Sequence, residues 1–274
     1  MSTRRRRRRP SFPRALLILA ILAASFYGTG FRPDLLLTEH AVGNAGRFLR
    51  DCWPPYLDDG YALRLGKLAL DTLATAFLGT VAAVLIGFPL GVFGSRSAVF
   101  GALFVTGEAR RGRLTKLLYL TARGISALLR SIPELVWAFL FVRLFSLGPT
   151  PAVLGIGINY GGMLGKVYSE QLEHTNPTPA AAIEATGASR FSAFWWGLLP
   201  QASGAMSAYT AYRFECAVRA SAIMGFVGAG GIGQEIQLSM QYFQFDRVLS
   251  GVLVLVLLVA LIELLSDAVQ RRFA

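Results

Sequence analysis

Four stretches of the chain are nearly free of charge over the length of a membrane crossing. Residues 15–31 and 72–95 carry none, 151–168 is interrupted by Lys166 and 248–265 by Glu263. A helix needs about 20 mostly apolar residues to cross the hydrocarbon layer, so each stretch is expected to be a transmembrane helix. Two more segments are apolar but charged along their length. Residues 114–147 hold Lys116, Arg123, Arg130, Glu134 and Arg143, and residues 205–227 hold Arg213, Glu215 and Arg219. A charge at that depth must face protein or water. Each is read as one span, because splitting 114–147 at Pro133 leaves halves too short to cross. The pattern predicts an all-α membrane protein of about six transmembrane helices with both termini inside.

Charge placement supports that orientation. The chain carries 27 Lys and Arg against 16 Asp and Glu, yet only 16% of it is charged, below the usual quarter of a soluble domain. Residues 4–9 are six arginines placed before the first apolar stretch, which reads as a retained anchor with a cytoplasmic flank. Six spans put residues 96–116, 171–203 and Arg271–Arg272 inside. The outer loops then hold Arg32, Arg47, Arg50 and Arg247, balanced by Asp34, Glu39, Asp51, Asp58, Asp59 and Asp246. No basic face interleaved with aromatics appears, which argues against nucleic acid. Cys52, Cys216, His40 and His174 lack disulfide-framework or metal-ligand spacing.

Gly228, Gly230 and Gly233 have the spacing of a dinucleotide-binding loop. That fingerprint needs a β-strand before it and a helix of a βαβ unit after it. Here the preceding stretch, "AVRASAIMGF", ends an apolar helix, and the next element is taken to be "QYFQFDRV" before the final span. The dinucleotide reading fails on context. The glycines, with Gly231, instead read as a flexible turn that lets backbone approach backbone and could serve as a gate.

The cytoplasmic segment 171–203 is long for a connection between membrane helices. Asn176 to Pro179 form a turn, residues 180–186 favour helix, and Gly187 stops it as a C-terminal cap would. Phe191, Phe194, Trp195 and Trp196 suit the headgroup region, and Leu199–Pro200 is expected to break the helix before the fifth span. A surface helix without a partner and a docking element for a cytoplasmic protein are both compatible with this.

Gly187 followed thirteen residues later by Pro200 resembles the EAA loop of type I ABC importer permeases. "RSIPELVWAFLFV", "EATGASR", "LLPQ", "YRFE" and "GFVGAGGIG", in that order, resemble the permease subunit of phosphonate importers. The likeness runs from about residue 60 to the carboxyl end. It divides the chain into residues 1–60, a basic terminus with the first helix and an external segment, and residues 61–274, a permease domain. The family's leading glutamate would fall at Ala181; a glutamate stands at Glu184 instead.

The resemblance implies a homodimeric pore in the bacterial plasma membrane, a cytoplasmic ABC ATPase dimer and an extracytoplasmic phosphonate-binding protein. Glu184, Ala185, Thr186, Gly187, Ala188 and Ser189 would contact the ATPase, which would hold ATP and Mg. The chain itself has no G-x-x-x-x-G-K-[ST] loop, and no cofactor or metal is expected on it. A path for anions favours arginine, whose planar fork matches phosphonate oxygens. Arg130, Ser131, Glu134, Arg213, Glu215 and Arg219 are the candidates. Arg130 with Glu134 and Glu215 with Arg219 are four apart and could meet on one helix face; Arg213 has no evident acidic partner. The pairs either neutralise each other and hold helices together or line the path. A membrane-embedded enzyme would need a convergent set of acids, histidines or a nucleophile. A carrier would favour internal repeats. Neither pattern is found.

Overall fold

The computed structural model describes residues 12–30, 32, 38–99 and 113–273. The arginine run 4–9, Phe31, Asp34 and most of the segment that follows Arg96 lie outside the described residues. The chain divides into two compact units, Met1–Asp51 and Cys52–Ala274.

The first unit holds α1 (Phe12–Gly28) and α2 (Glu39–Cys52). α1 has an apolar stretch, Leu16–Gly28, shorter than a full crossing. α2 falls within residues 1–60, in the part expected to be external, where no helix was foreseen. It is a strongly amphipathic helix, opened by Glu39 and closed near Arg50, charges that suit the two ends of the helix dipole.

Every regular element among the described residues of the second unit is a helix. Its elements are α3 (Asp59–Gly94), α4 (Arg113–Ser131), α5 (Glu134–Phe145), α6 (Pro149–His174), α7 (Thr178–Ala185), the short turn α8 (Arg190–Ser192), α9 (Leu199–Gly225), α10 (Gly231–Gln241) and α11 (Phe245–Phe273). Length and composition qualify Asp59–Gly94 and Phe245–Ala268 as membrane-crossing helices, and the pair α4 and α5 together as a third. The six expected apolar crossings are therefore met by apolarity in only two or three places. α6 and α9 have the reach, about 39 and 40 Å at 1.5 Å per residue. Their sequences are diluted by glycine, serine and charge because other helices pack around them, so they need little lipid-facing surface. α11, by contrast, exposes Val256, Leu257, Leu261, Leu264 and Leu265, as a helix facing acyl chains would.

The centre of the unit is the contact of α3 with α6. Gly79, Gly87 and Gly91 on α3 face Ile156, Leu164 and Tyr168 on α6; Gly157, Gly161 and Gly165 on α6 face Ala82, Ile86 and Leu90 on α3. A Cβ at any of these six glycines would lie 2.6 to 2.8 Å from the facing side chain. The four-residue spacing of the α6 glycines is the small-residue pattern that lets membrane helices approach closely, where lipid supplies no hydrophobic drive for association. Gly155 and Gly162 serve the other face of α6 in the same way, against the backbone of α5 and α4.

Residues 114–147 do not form one helix. α4 and α5 are bent by 86° at a break of two residues. Pro133 cannot donate the backbone hydrogen bond that would continue α4. The carbonyls freed at the break find partners: Trp137 Nε1 donates to Leu129 O at 3.3 Å and Asn159 Nδ2 to Ile132 O at 2.5 Å. Asn159 is 1% exposed, so this is a built corner.

Candidate functional site

The glycine turn is a packing junction. Gly228, Gly230 and Gly231 have φ of +91°, +88° and +71°, which side chains other than glycine rarely adopt. Gly233 and Gly225 bring α10 against the end of α9: a Cβ at Gly233 would lie 1.8 Å from Ala222 O, and one at Gly225 2.6 Å from the amide nitrogen of Gln234. Gly148 N–H donates to Gly228 O at 3.0 Å, tying the turn to the start of α6. The element after the turn is α10, eleven residues, and not the "QYFQFDRV" expected there.

α10 begins inside the protein, so its first amide groups need partners other than water. Thr72, in the middle of α3, supplies one. Its hydroxyl accepts from Ile232 N–H at 3.0 Å and donates to Leu68 O at 2.8 Å, while its carbonyl accepts from Ser221 Oγ at 3.0 Å. One threonine thus joins α3, α9 and α10. Glu235 on α10, 7% exposed, meets Arg64 on α3 at 2.7 Å.

The charges of α9 separate into two environments. Glu215 and Arg219 form an ion pair one turn apart, with Glu215 buried and the Arg219 side chain half exposed. Arg213 lies among tyrosines. Its Nε and Nη2 donate to the Tyr209 hydroxyl at 2.9 and 2.7 Å, and its guanidinium carbon lies 5.2 to 5.6 Å from the ring centroids of Tyr160, Tyr209 and Tyr212. Arg213 has no acid at helical spacing, and its partners are aromatic instead. Three ring faces and a phenolic oxygen stabilise the cation without neutralising it, so its positive charge stays available. Tyr209, four residues before Arg213, was the legible signal.

Arg130 and Glu134 do not share a helix face. The corner at Ile132–Pro133 falls between them, leaving Arg130 at the end of α4 and Glu134 at the start of α5. Among the described residues no ion pair joins them. Each instead sits at the helix end that its charge suits. Ser131 donates to Leu128 O at 2.8 Å and is exposed at the corner.

The segment between α6 and α9 presents a face to solvent. α7 ends at Ala185, and Gly187, at φ +82°, closes it with its amide donating to Glu184 O at 3.0 Å. Ser189 then caps α8, accepting from Ser192 N–H at 3.2 Å. Ala181, Ala182, Ala185, Thr186, Gly187 and Ser189 are exposed, and Glu184 and Ala188 half-buried. The opposite face rests on Gly197, where a Cβ would lie 2.6 Å from the Ala180 Cα. Leu199–Pro200 does not interrupt the chain. A π-helical turn, Ala193–Leu198, runs directly into α9, with Pro200 just past the junction. Among the described residues no group of three or more His, Cys, Asp or Glu is placed to hold a metal ion.

The described structure thus brings together a half-buried cation in a helical bundle, a glycine junction and a solvent-facing helical segment. Residues 98–274 match the family described as binding-protein-dependent transport system inner membrane component, and the chain belongs to that family. It is 32% identical over 90% of its length to the phosphate-import permease protein PhnE of Mycolicibacterium smegmatis, and 31% identical over 83% to the phosphite transport system permease protein PtxC of Stutzerimonas stutzeri. It spans 43% of the first relative and 86% of the second. In fold it is similar to a chain of the MetNI methionine ABC transporter in an inward-facing conformation, with a TM-score of 0.64 at 24% identity, covering 80% of this chain and 100% of that one. The protein is therefore an all-α permease of the inner membrane.

Proposed function

We propose that this chain is the permease subunit of an ATP-driven importer for phosphonate, or for phosphite- or phosphate-like anions. The observation that carries the reading is the helical hairpin ended by Gly187, exposed on one face and seated through Gly197 on the other. It suits insertion into a cleft of a cytoplasmic ATPase, with Glu184 to Ser189 as the contact. The relatives named for phosphate and phosphite support an oxyanion, and Arg213 with its charge unneutralised suits one in transit. Arg130, Glu134, Glu215 and Arg219 belong to the same bundle. Glu215–Arg219 has the geometry of a structural pair, whereas Arg130, free of Glu134, keeps an open charge.

The complex is a homodimer of this chain over an ATPase dimer that holds ATP and Mg, with an extracytoplasmic binding protein that selects the anion. Residues 61–274 form the permease domain, and both termini lie in the cytoplasm. The glycine junction at Gly228, Gly230, Gly231 and Gly233 is the pivot between α9 and α10 as the path opens. The test is to purify the tagged chain, identify the ATPase that accompanies it, and measure uptake of labelled phosphonate, phosphite and phosphate in vesicles with the cognate binding protein. Uptake without the ATPase, or none with the full complex for any of the three anions, overturns the reading.

A further inference from the structure

Between α3, α4 and α6 lies a cavity of about 250 Å³ whose walls include Gly94, Arg123, Ser126, Arg130, Lys166 and Ser169. That is room for about eight waters at roughly 30 Å³ each. Three cations border it and two acids stand near them. Arg123 lies 3.5 Å from Glu173 and also bonds the Tyr119 hydroxyl; Lys166 lies 3.5 Å from Glu170. Arg130 makes no hydrogen bond or ion pair with any described residue. Arg96 shares Glu173 and the Tyr119 hydroxyl with Arg123, so the surroundings are electropositive, and Arg130 is the fork on the cavity wall that no acid pairs.

Ser126 adds a separate observation. It is 4% exposed and lines the cavity, yet its hydroxyl bonds to no described residue. Thr72, Thr75 and Thr80 in α3 each donate to the carbonyl one turn back, and Ser169 on the facing wall donates to Lys166 O. The residue is buried, but its hydroxyl opens on the cavity, where it can bond to an occupant. Gly165 keeps that hydroxyl reachable, since a Cβ there would lie 2.9 Å from Ser126 Oγ. Arg130, which is exposed, Lys166 and Ser126 all border one small space, and together they are a donor set that suits a tetrahedral oxyanion.

We propose that this cavity binds a phosphate-type oxyanion, whose source is either a free anion or the headgroup of an anionic phospholipid. It stands apart from Arg213. Lys166 precedes His174, the last residue of α6, by eight positions, about 12 Å along the helix. An occupant therefore sits close to the segment that leads into α7. The site does not depend on which solute is imported.

The assay uses the purified permease–ATPase complex. One arm strips phospholipid and measures equilibrium binding of labelled inorganic phosphate. The other reconstitutes the complex in phosphatidylcholine vesicles with or without phosphatidylglycerol and measures retained anionic lipid by native mass spectrometry. Arg130→Gln should weaken binding about tenfold or more, as loss of a charge-assisted hydrogen bond does, Ser126→Ala less, and Arg130→Lys should restore part of it. Saturable phosphate binding lost in R130Q identifies a free-anion site. Retained phosphatidylglycerol lost in R130Q, without phosphate binding, identifies a lipid site. Equal occupancy of wild type and R130Q in both arms, or none in wild type in either, overturns the inference. Solute uptake on the same preparations separates the two readings: intact import without binding sinks the cavity alone, and binding without import sinks the importer alone.

Discussion

Replacing Thr72 by valine removes one oxygen from the junction of three helices and leaves its volume almost unchanged. Thr72 is 2% exposed and Ile232 is fully buried, so water cannot take the place of the hydroxyl that accepts from Ile232 N–H at 3.0 Å. An unsatisfied buried amide costs about 1–3 kcal/mol. The lost donation to Leu68 O adds little, because that carbonyl retains its place in the helix ladder. The Ser221 bond to the Thr72 carbonyl is a backbone contact and survives. Thr72→Ser keeps the hydroxyl and loses a methyl group, about 0.8 kcal/mol. Valine should therefore be the worse of the two by up to about 2 kcal/mol, although it is the better match in shape. On the scale of large soluble domains, that difference is up to about 8 °C in the midpoint of thermal unfolding. The measurement is the midpoint for the detergent-solubilised complex of each variant, read by size-exclusion peak height after heating. A valine variant as stable as the serine variant would falsify the view that Thr72 caps α10 from outside its own helix.

Four further outcomes are expected. Gly187→Leu should abolish substrate-stimulated ATP hydrolysis, because φ +82° strains an L-residue by about 1–2 kcal/mol and the new side chain protrudes from the exposed face; Gly187→Asn, which tolerates that backbone, should retain much of it, and equal stimulation in both variants counts against the coupling role. Arg213→Ala should cut uptake about tenfold with normal complex yield, Arg213→Lys should recover part, and Tyr209→Phe, which removes the acceptor of both guanidinium bonds, should fall between; full uptake by Arg213→Ala leaves only a structural role. Arg219→Ala should lower complex yield by stranding the buried Glu215 carboxylate, and adding Glu215→Gln should restore some of it; no gain from the second change refutes the pairing. A membrane-impermeant reagent should label cysteine at position 58 in spheroplasts but not one appended after Arg272, and the reverse pattern would invert the orientation.

Apolar runs of the length of a bilayer were sufficient to announce helices at 72–95 and 248–265, because lipid leaves a spanning segment no other way to satisfy its backbone. The segment between α6 and α9 was legible for a similarly local reason. A glycine that ends a helix and a proline in the first turn of the next both act on their own backbone, so Gly187 and Pro200 place the hairpin, although Pro200 opens α9 rather than breaking it. The Glu215–Arg219 pair follows from helical spacing alone. The corner between α4 and α5 depends on more than Pro133: Asn159, 27 residues along the chain, reaches Ile132 O across the 86° bend. Only the tertiary structure separates Arg130 from Glu134 and so frees Arg130. It also wraps Arg213 in tyrosines from two helices, and uses Thr72 to cap a helix 160 residues later. Local spacing sets which groups a segment offers. Which distant group meets them is decided by how closely glycine lets α3, α6, α9 and α10 approach, and that distance is a property of the packed bundle, not of any one helix.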